Sequence, residues 1–213
     1  MPISHDPTLE ALLVRAAAGD KRSAGEAVCA YDARLRRVIR VRLDRRLLRR
    51  VDVDDVLQEA HLEAIERLPE FLAKREVPLF IWLRFLAVQR CVTLARRHLI
   101  AAARDVRREQ RVGAAEGYDS ASAALEHALS AQLTTPSGVA AREETRAAVR
   151  DAVGGLEPLD REILCLRHFE ELDNAEAACA LGIEPGAASK RYVRAVERLR
   201  DVMAAARLDT PPH

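Results

Sequence analysis

The chain has 213 residues, with 34 Lys and Arg against 33 Asp and Glu, a formal net charge of +1. Hydrophobic residues make up 49% of it and aromatics only 4%, a composition that supports a packed core but excludes an all-β fold, because strands favour β-branched and aromatic side chains. No apolar run approaches the roughly 18 residues of a membrane span, and Met1 to Glu10 lacks a basic start followed by an apolar stretch, so no secretory signal is expected.

The near-neutral total hides segregated charge. Arg34 to Arg50 holds nine arginines against one aspartate, and Val51 to Glu70 holds seven acids against Arg67. Arg84 to Arg111 is basic again, Gly113 to Thr145 acidic, and Glu184 to Arg200 basic. Basic and acidic surfaces kept apart suit two kinds of partner, one of them polyanionic, although any single block also reads as a solvated helix face. The four cysteines (Cys29, Cys91, Cys165, Cys179) are far apart, with no CxxC pair and no histidine at ligand spacing. They read as buried reduced thiols in a cytoplasmic protein, with no metal and no cofactor.

In chain order, Leu9 to Ala18 and Ser23 to Leu48 read as helices separated by Gly19-Asp20. Asp52 to Phe71 reads as a long helix stopped near Pro69, with Asp52 as N-cap and Asp54 and Asp55 at its positive end. Leu57, Ala64, Ile65 and Leu68 make its apolar stripe, and Asp55, Glu59, Glu63, Glu66 and Glu70 line another face. That acidic face is either a docking surface for a basic partner helix or simply wet. Helical surfaces offer no concave pocket to shift a carboxyl pKa, which argues against acid–base catalysis there.

Leu79 to about Arg111 is helical again, with Leu83, Leu86, Ala87, Cys91 and Leu94 turned inward. Gln89, Thr93, Arg96 and Arg97 fall on a polar face, with Trp82 and Phe85 nearby. Arginines hold phosphates, Gln and Thr read base edges, and exposed aromatics stack on unpaired bases. At least one of Trp82 and Phe85 reads as ordinary core, and His98 as a surface residue or a satisfied partner, not a ligand.

Gly113 to Ala141 turns rich in Ala, Ser, Gly and Thr and reads as a flexible tether, with a helical turn around Ser122 to Gln132. Helices resume over Arg142 to Val153, Pro158 to Phe169, Ala175 to Leu181 and Pro185 to Ala206. Asn174 to Arg194 fits a helix-turn-helix: Ala178 is small where helices cross, Gly182 takes the turn and Pro185 opens the second helix. Ala188, Tyr192, Ala195, Leu199 and Val202 form that helix's buried stripe, opposite Ser189, Lys190, Arg191, Arg194 and Arg198. Such a helix suits the DNA major groove, although a helical hairpin without DNA has the same pattern. The expected fold is all-α: two small helical domains, 1–111 and 142–213, joined by a linker over 112–141.

Taken together and in this order, the elements resemble a group-four, extracytoplasmic-function (ECF) sigma factor of bacterial RNA polymerase. Asp54-Asp55-Val56-Leu57-Gln58-Glu59 is similar to that family's region 2.2, and Trp82-Leu83 through Arg96-Arg97 to its regions 2.3 and 2.4. Leu156 to Leu164 is similar to the opening of region 4, and Leu181-Gly182-Ile183 through Arg194-Ala195 to its region 4.2. The resemblance implies that Asp54, Asp55, Gln58 and Glu59 dock on core polymerase. Trp82, Phe85, Gln89, Thr93, Arg96 and Arg97 would then engage the −10 promoter element, and Ser189, Lys190, Arg191 and Arg194 the −35 element. Core RNA polymerase and promoter DNA are the implied partners, with an anti-sigma factor as a further one and no membrane. The competing account is a dimeric helix-turn-helix operator-binding regulator that does not bind polymerase. No Gly-rich phosphate loop, zinc spacing or Ser/His/Asp grouping points to an enzyme.

Overall fold

The computed structural model describes residues 7–43, 47, 51–105, 120–133 and 139–208, with the side chains of 98–105 and some others in the later helices left undescribed. The chain divides into two units, Met1–Glu116 and Gly117–His213. Both are helical and no strand occurs among the described residues, so the fold is all-α.

The first unit is built on α1 (Pro7–Ala17), α2 (Lys21–Cys29), α3 (Asp32–Arg42), α4 (Val53–Lys74) and α5 (Leu79–Asp105). Helix α4 packs against all four others. It can do so because Val56, Leu57, Ala60, Ala64, Leu68 and Phe71 recur at helical spacing and are all buried. Leu35, Val38 and Ile39 of α3 and Leu83, Leu86 and Cys91 of α5 complete this core. Each fully buried Leu or Ile contributes about 1.5–3 kcal/mol, and these side chains fix the register of the bundle.

Two boundaries differ from the sequence expectation. The helix expected over Ser23 to Leu48 is broken at Ala30-Tyr31, where the Tyr31 N–H reaches back to the Val28 carbonyl at 3.2 Å and α3 starts in a new direction. The break lets Ala24, Ala27 and Val28 bury from α2 while Tyr31 lies against Phe80, ring centroids 5.6 Å apart. Helix α4 does not stop at Pro69 but runs through it to Lys74. Burial of Leu68 and Phe71 on either side offsets the hydrogen bond that proline removes. Left-handed Arg75 (φ 42°) then ends the helix, its guanidinium paired with Glu10 of α1.

The second unit contains α6 (Ser120–Leu133), α7 (Val139–Gly154), α8 (Pro158–Leu164), a single wide π-type turn over Cys165–Phe169, α9 (Asn174–Leu181) and α10 (Pro185–Leu208). Within the stretch expected to be a tether, α6 packs on α7 and α8 through buried Ala121, Ala124 and Leu125. Tether residues 112–119 and 134–138 lie outside the described residues, as do 106–111 of the helix expected to reach Arg111 and the side chain of His98. The core combines Val149, Val153, Leu156, Ile163, Leu164, Leu166 and Leu172 with Ala177, Ala178, Ala188 and Ala195. Alanines at these last four positions allow α9 and α10 to approach closely.

Candidate nucleic-acid interface

The turn between α9 and α10 is specified residue by residue. Asp173 caps α9, accepting from the Glu176 N–H at 2.8 Å while the Glu176 carboxylate takes the Asp173 N–H at 3.1 Å, a reciprocal capping box. Gly182 closes the helix at φ +64°, a left-handed conformation that costs an L side chain about 1–2 kcal/mol. The Asn174 amide then donates to the Pro185 carbonyl at 2.8 Å and ties the start of α9 to the start of α10.

On α10 the expected DNA-facing residues part company. Ser189, Lys190 and Arg194 are exposed on the outer face. Arg191 turns back instead: its guanidinium donates to Asp160 at 2.8 Å and lies 3.6 Å from Glu157. Arg198 does the same, donating to the other oxygen of Asp160 and lying 3.7 Å from Glu157. The Asp160 side chain is only 2% exposed. The sequence reading missed this acceptor, whose signal was an acid in the first turn of α8, two residues after Pro158. Tyr192 meets His168 Nε2 at 2.9 Å on the inner side.

In the first unit, Asp52 caps α4 by accepting from the Asp54 N–H at 2.9 Å. Asp55, Gln58 and Glu59 are exposed, and so is Asp54, which also pairs with Arg36 Nε of α3 at 2.7 Å. One turn further on, Glu63 accepts from Arg67 at 2.8 Å and from Arg90 Nε of α5 at 2.9 Å. Burial alone would raise the Glu63 carboxyl, but these two guanidinium bonds outweigh it and hold it below the ordinary carboxylate range. Arg90, which the sequence reading did not single out, thereby sets how α5 lies on α4.

Along α5, Phe85, Gln89, Thr93 and Arg96 follow at spacings of four, four and three. They line one shallow groove together with Glu63, Val88, Arg90 and Val92. Phe85 is 52% exposed, and Arg97 is exposed beside the groove. Trp82 is half-buried, stacked on Phe71 with centroids 4.5 Å apart and planes 18° from parallel. With Glu63 and Arg90 paired to one another, the groove offers an apolar ring, two uncharged polar side chains and the Arg96 guanidinium, a set able to take an unstacked base beside a phosphate.

Residues 146–199 match the family profile described as "Sigma-70, region 4". The chain is 38% identical over 64 residues to the RNA polymerase sigma-E factors of Streptomyces coelicolor and Streptomyces antibioticus. It is 36% identical to that of Streptomyces avermitilis over the same length. Each match covers 30% of this chain and 36% of the relative, so the chain spans about a third of the length of the curated relatives it matches. Among solved structures, CnrH in complex with the cytosolic domain of CnrY shares the fold: TM-score 0.51 and 24% identity, covering 93% of this chain and 98% of that one. The second unit thus carries a helix-turn-helix similar to sigma-70 region 4, within an all-α fold that the chain shares with CnrH.

Proposed function

We propose that the protein binds bacterial core RNA polymerase and directs it to promoters through −10 and −35 elements. The observation that carries this reading is the region 4 match over residues 146–199, whose second helix carries Ser189, Lys190 and Arg194 on its exposed face. In this reading 142–213 is the −35 domain. Lys190 and Arg194 hold phosphates at the major groove, Ser189 reads a base edge, and Arg191 reaches the DNA only at the rim because Asp160 holds it. The 1–111 domain docks on polymerase through Asp54, Asp55, Gln58 and Glu59, all on the exposed start of α4.

The groove of Phe85, Gln89, Thr93 and Arg96, with Arg97 beside it and Trp82 below, serves the −10 element. Phe85 stacks on a melted base, while Trp82 supports the platform from its place on Phe71. The 112–141 stretch joins the two. Joining two weak DNA-binding modules on one polymerase raises the effective concentration of each, so neither needs high affinity alone. The protein acts in the cytoplasm and performs no catalysis itself. CnrH is solved in complex with the cytosolic domain of CnrY, and in this reading the further partner of this chain is a protein that binds it as an anti-sigma factor.

The test is co-elution with bacterial core polymerase on size exclusion. The wild type moves into the polymerase peak, and an Asp55→Ala/Gln58→Ala variant with unchanged helicity does not. Elution of the wild type as a free dimer would instead support an operator-binding regulator.

A further inference from the structure

Away from the acidic face and the groove, the first unit brings His61 to two side chains, Cys29 and Asp32, that lie about 30 residues before it in the sequence. Cys29 closes α2, Asp32 opens α3 and His61 lies in the middle of α4. One ligand atom from each falls within 4.8 Å of the other two. We propose that Cys29, Asp32 and His61 form a binding site for a thiophilic divalent cation of the zinc type. This inference stands apart from the polymerase reading.

Donor chemistry is the first argument. Thiolate, imidazole and carboxylate are the three ligand types zinc takes in proteins, and three protein ligands leave a fourth tetrahedral position for water. Cys29 is exposed, so that position opens to solvent.

The second argument is geometric. His61 Nε2 stands 3.2 Å from Asp32 Oδ1, close to the spacing of about 3.4 Å that two ligands at roughly 2.1 Å make around one tetrahedral ion. Yet the two atoms are buried and form no hydrogen bond with each other or with any other group among the described residues. Two buried polar atoms that face one another unbonded are costly, and a shared cation satisfies both.

Electrostatics are the third. Burial pushes the His61 imidazole below its ordinary value, against the smaller pull of Asp32 and with some help from Arg36. The ring is therefore neutral at pH 7 and able to ligate. Arg36 is the opposing charge, 3.6 Å from Asp32 Oδ2, but its Nε is already engaged by Asp54 at 2.7 Å. The cation takes Oδ1 and leaves Oδ2 to Arg36. Cys29 is exposed as a residue, but partial burial of its sulfur and the nearby Asp32 both raise its thiol, so binding forms the metal–sulfur bond by releasing the thiol proton to solvent, and affinity rises with pH. Once bound, the ion clamps the α2–α3 corner onto α4.

The test is zinc titration of the reduced full-length protein by calorimetry, with cobalt(II) as the spectroscopic probe. Wild type and a Cys179→Ser control bind one zinc per chain, melt at higher temperature when loaded, and give a thiolate-to-cobalt charge-transfer band. Cys29→Ser and His61→Gln, both conservative in volume, weaken zinc binding roughly tenfold or more, and Cys29→Ser loses the band. Absence of zinc binding by the wild type, or a band and affinity unchanged in Cys29→Ser, would overturn the proposal.

Discussion

Asp160 of α8 accepts a 2.8 Å hydrogen bond from Arg191 of α10, 31 residues later, with only 2% of the carboxylate's side chain left exposed. The bond fastens α10, the second helix of the helix-turn-helix, to α8, and Arg198 reinforces it from two turns further along α10. A buried carboxylate stripped of its partners is expensive. Removing Arg191 alone leaves Arg198 in place and is expected to cost about 1 kcal/mol. The Arg191→Ala/Arg198→Ala double variant is expected to lower stability by about 3 kcal/mol, read as a lower urea midpoint. An unchanged midpoint in the double variant would mean that the clamp contributes nothing to folding.

Lys190 and Arg194 are exposed and one turn apart on α10, so substituting them is expected to spare the fold and to weaken DNA binding. Each alanine variant, assembled with core polymerase, is expected to bind a −35-containing duplex more weakly. The salt dependence falls by about one unit of slope for each phosphate the side chain no longer neutralises, and a base edge left unread adds roughly 1–3 kcal/mol. Filter binding across a salt series separates the two cases. Arg191→Ala is the comparison: it lowers stability first and alters the salt slope least.

Two aromatics three residues apart on α5 have different surroundings, and their substitutions should differ accordingly. Trp82 stacks on Phe71, while Phe85 is more than half exposed. Trp82→Ala is expected to destabilise the first unit by about 2 kcal/mol by removing that stacking and burial. Phe85→Ala is expected to leave the melting curve alone and to slow promoter opening, seen as less permanganate reactivity of unpaired thymines. An equal drop in stability in both variants would place Phe85 in the core.

Much of this was legible beforehand because it follows from local rules. The N-cap at Asp52, the left-handed Gly182 and the small residues Ala178 and Ala188 are each set by backbone geometry within one or two turns. The exposed strip of Gln89, Thr93 and Arg96 follows from helical period alone. What escaped depends on which helices meet. A basic helix face shows four candidate DNA-binding side chains until Asp160, 31 residues upstream of Arg191, claims one of them, Arg191, together with Arg198. Cysteine spacing likewise said nothing of His61, which reaches Cys29 only through the packing of α2 and α3 on α4. Of the four thiols expected to be buried, Cys91 and Cys165 are; Cys29 is exposed at a helix end, and Cys179 is half-buried.

His61 also makes the first unit sensitive to pH without any metal. The groups facing it are Asp32 of α3, with Arg36 and Cys29 beside it. Burial holds its imidazole below the ordinary value of about 6.5, so the folded protein binds this proton less readily than the unfolded chain. Stability from the neutral ring is therefore fully present above pH 6.5 and is lost as pH falls from there towards the folded value. For one proton the slope is at most about 1.4 kcal/mol per pH unit, reduced by whatever screening the partly open site allows. Urea midpoints measured in EDTA at pH 7.5 and 5.5 are expected to fall for the wild type and to change less for His61→Gln, which cannot take the proton. The lowered carboxyl of Glu63 acts in a separate window, below its unfolded value of about 4.3. An equal fall in both proteins between pH 7.5 and 5.5 would trace the effect to a group other than His61.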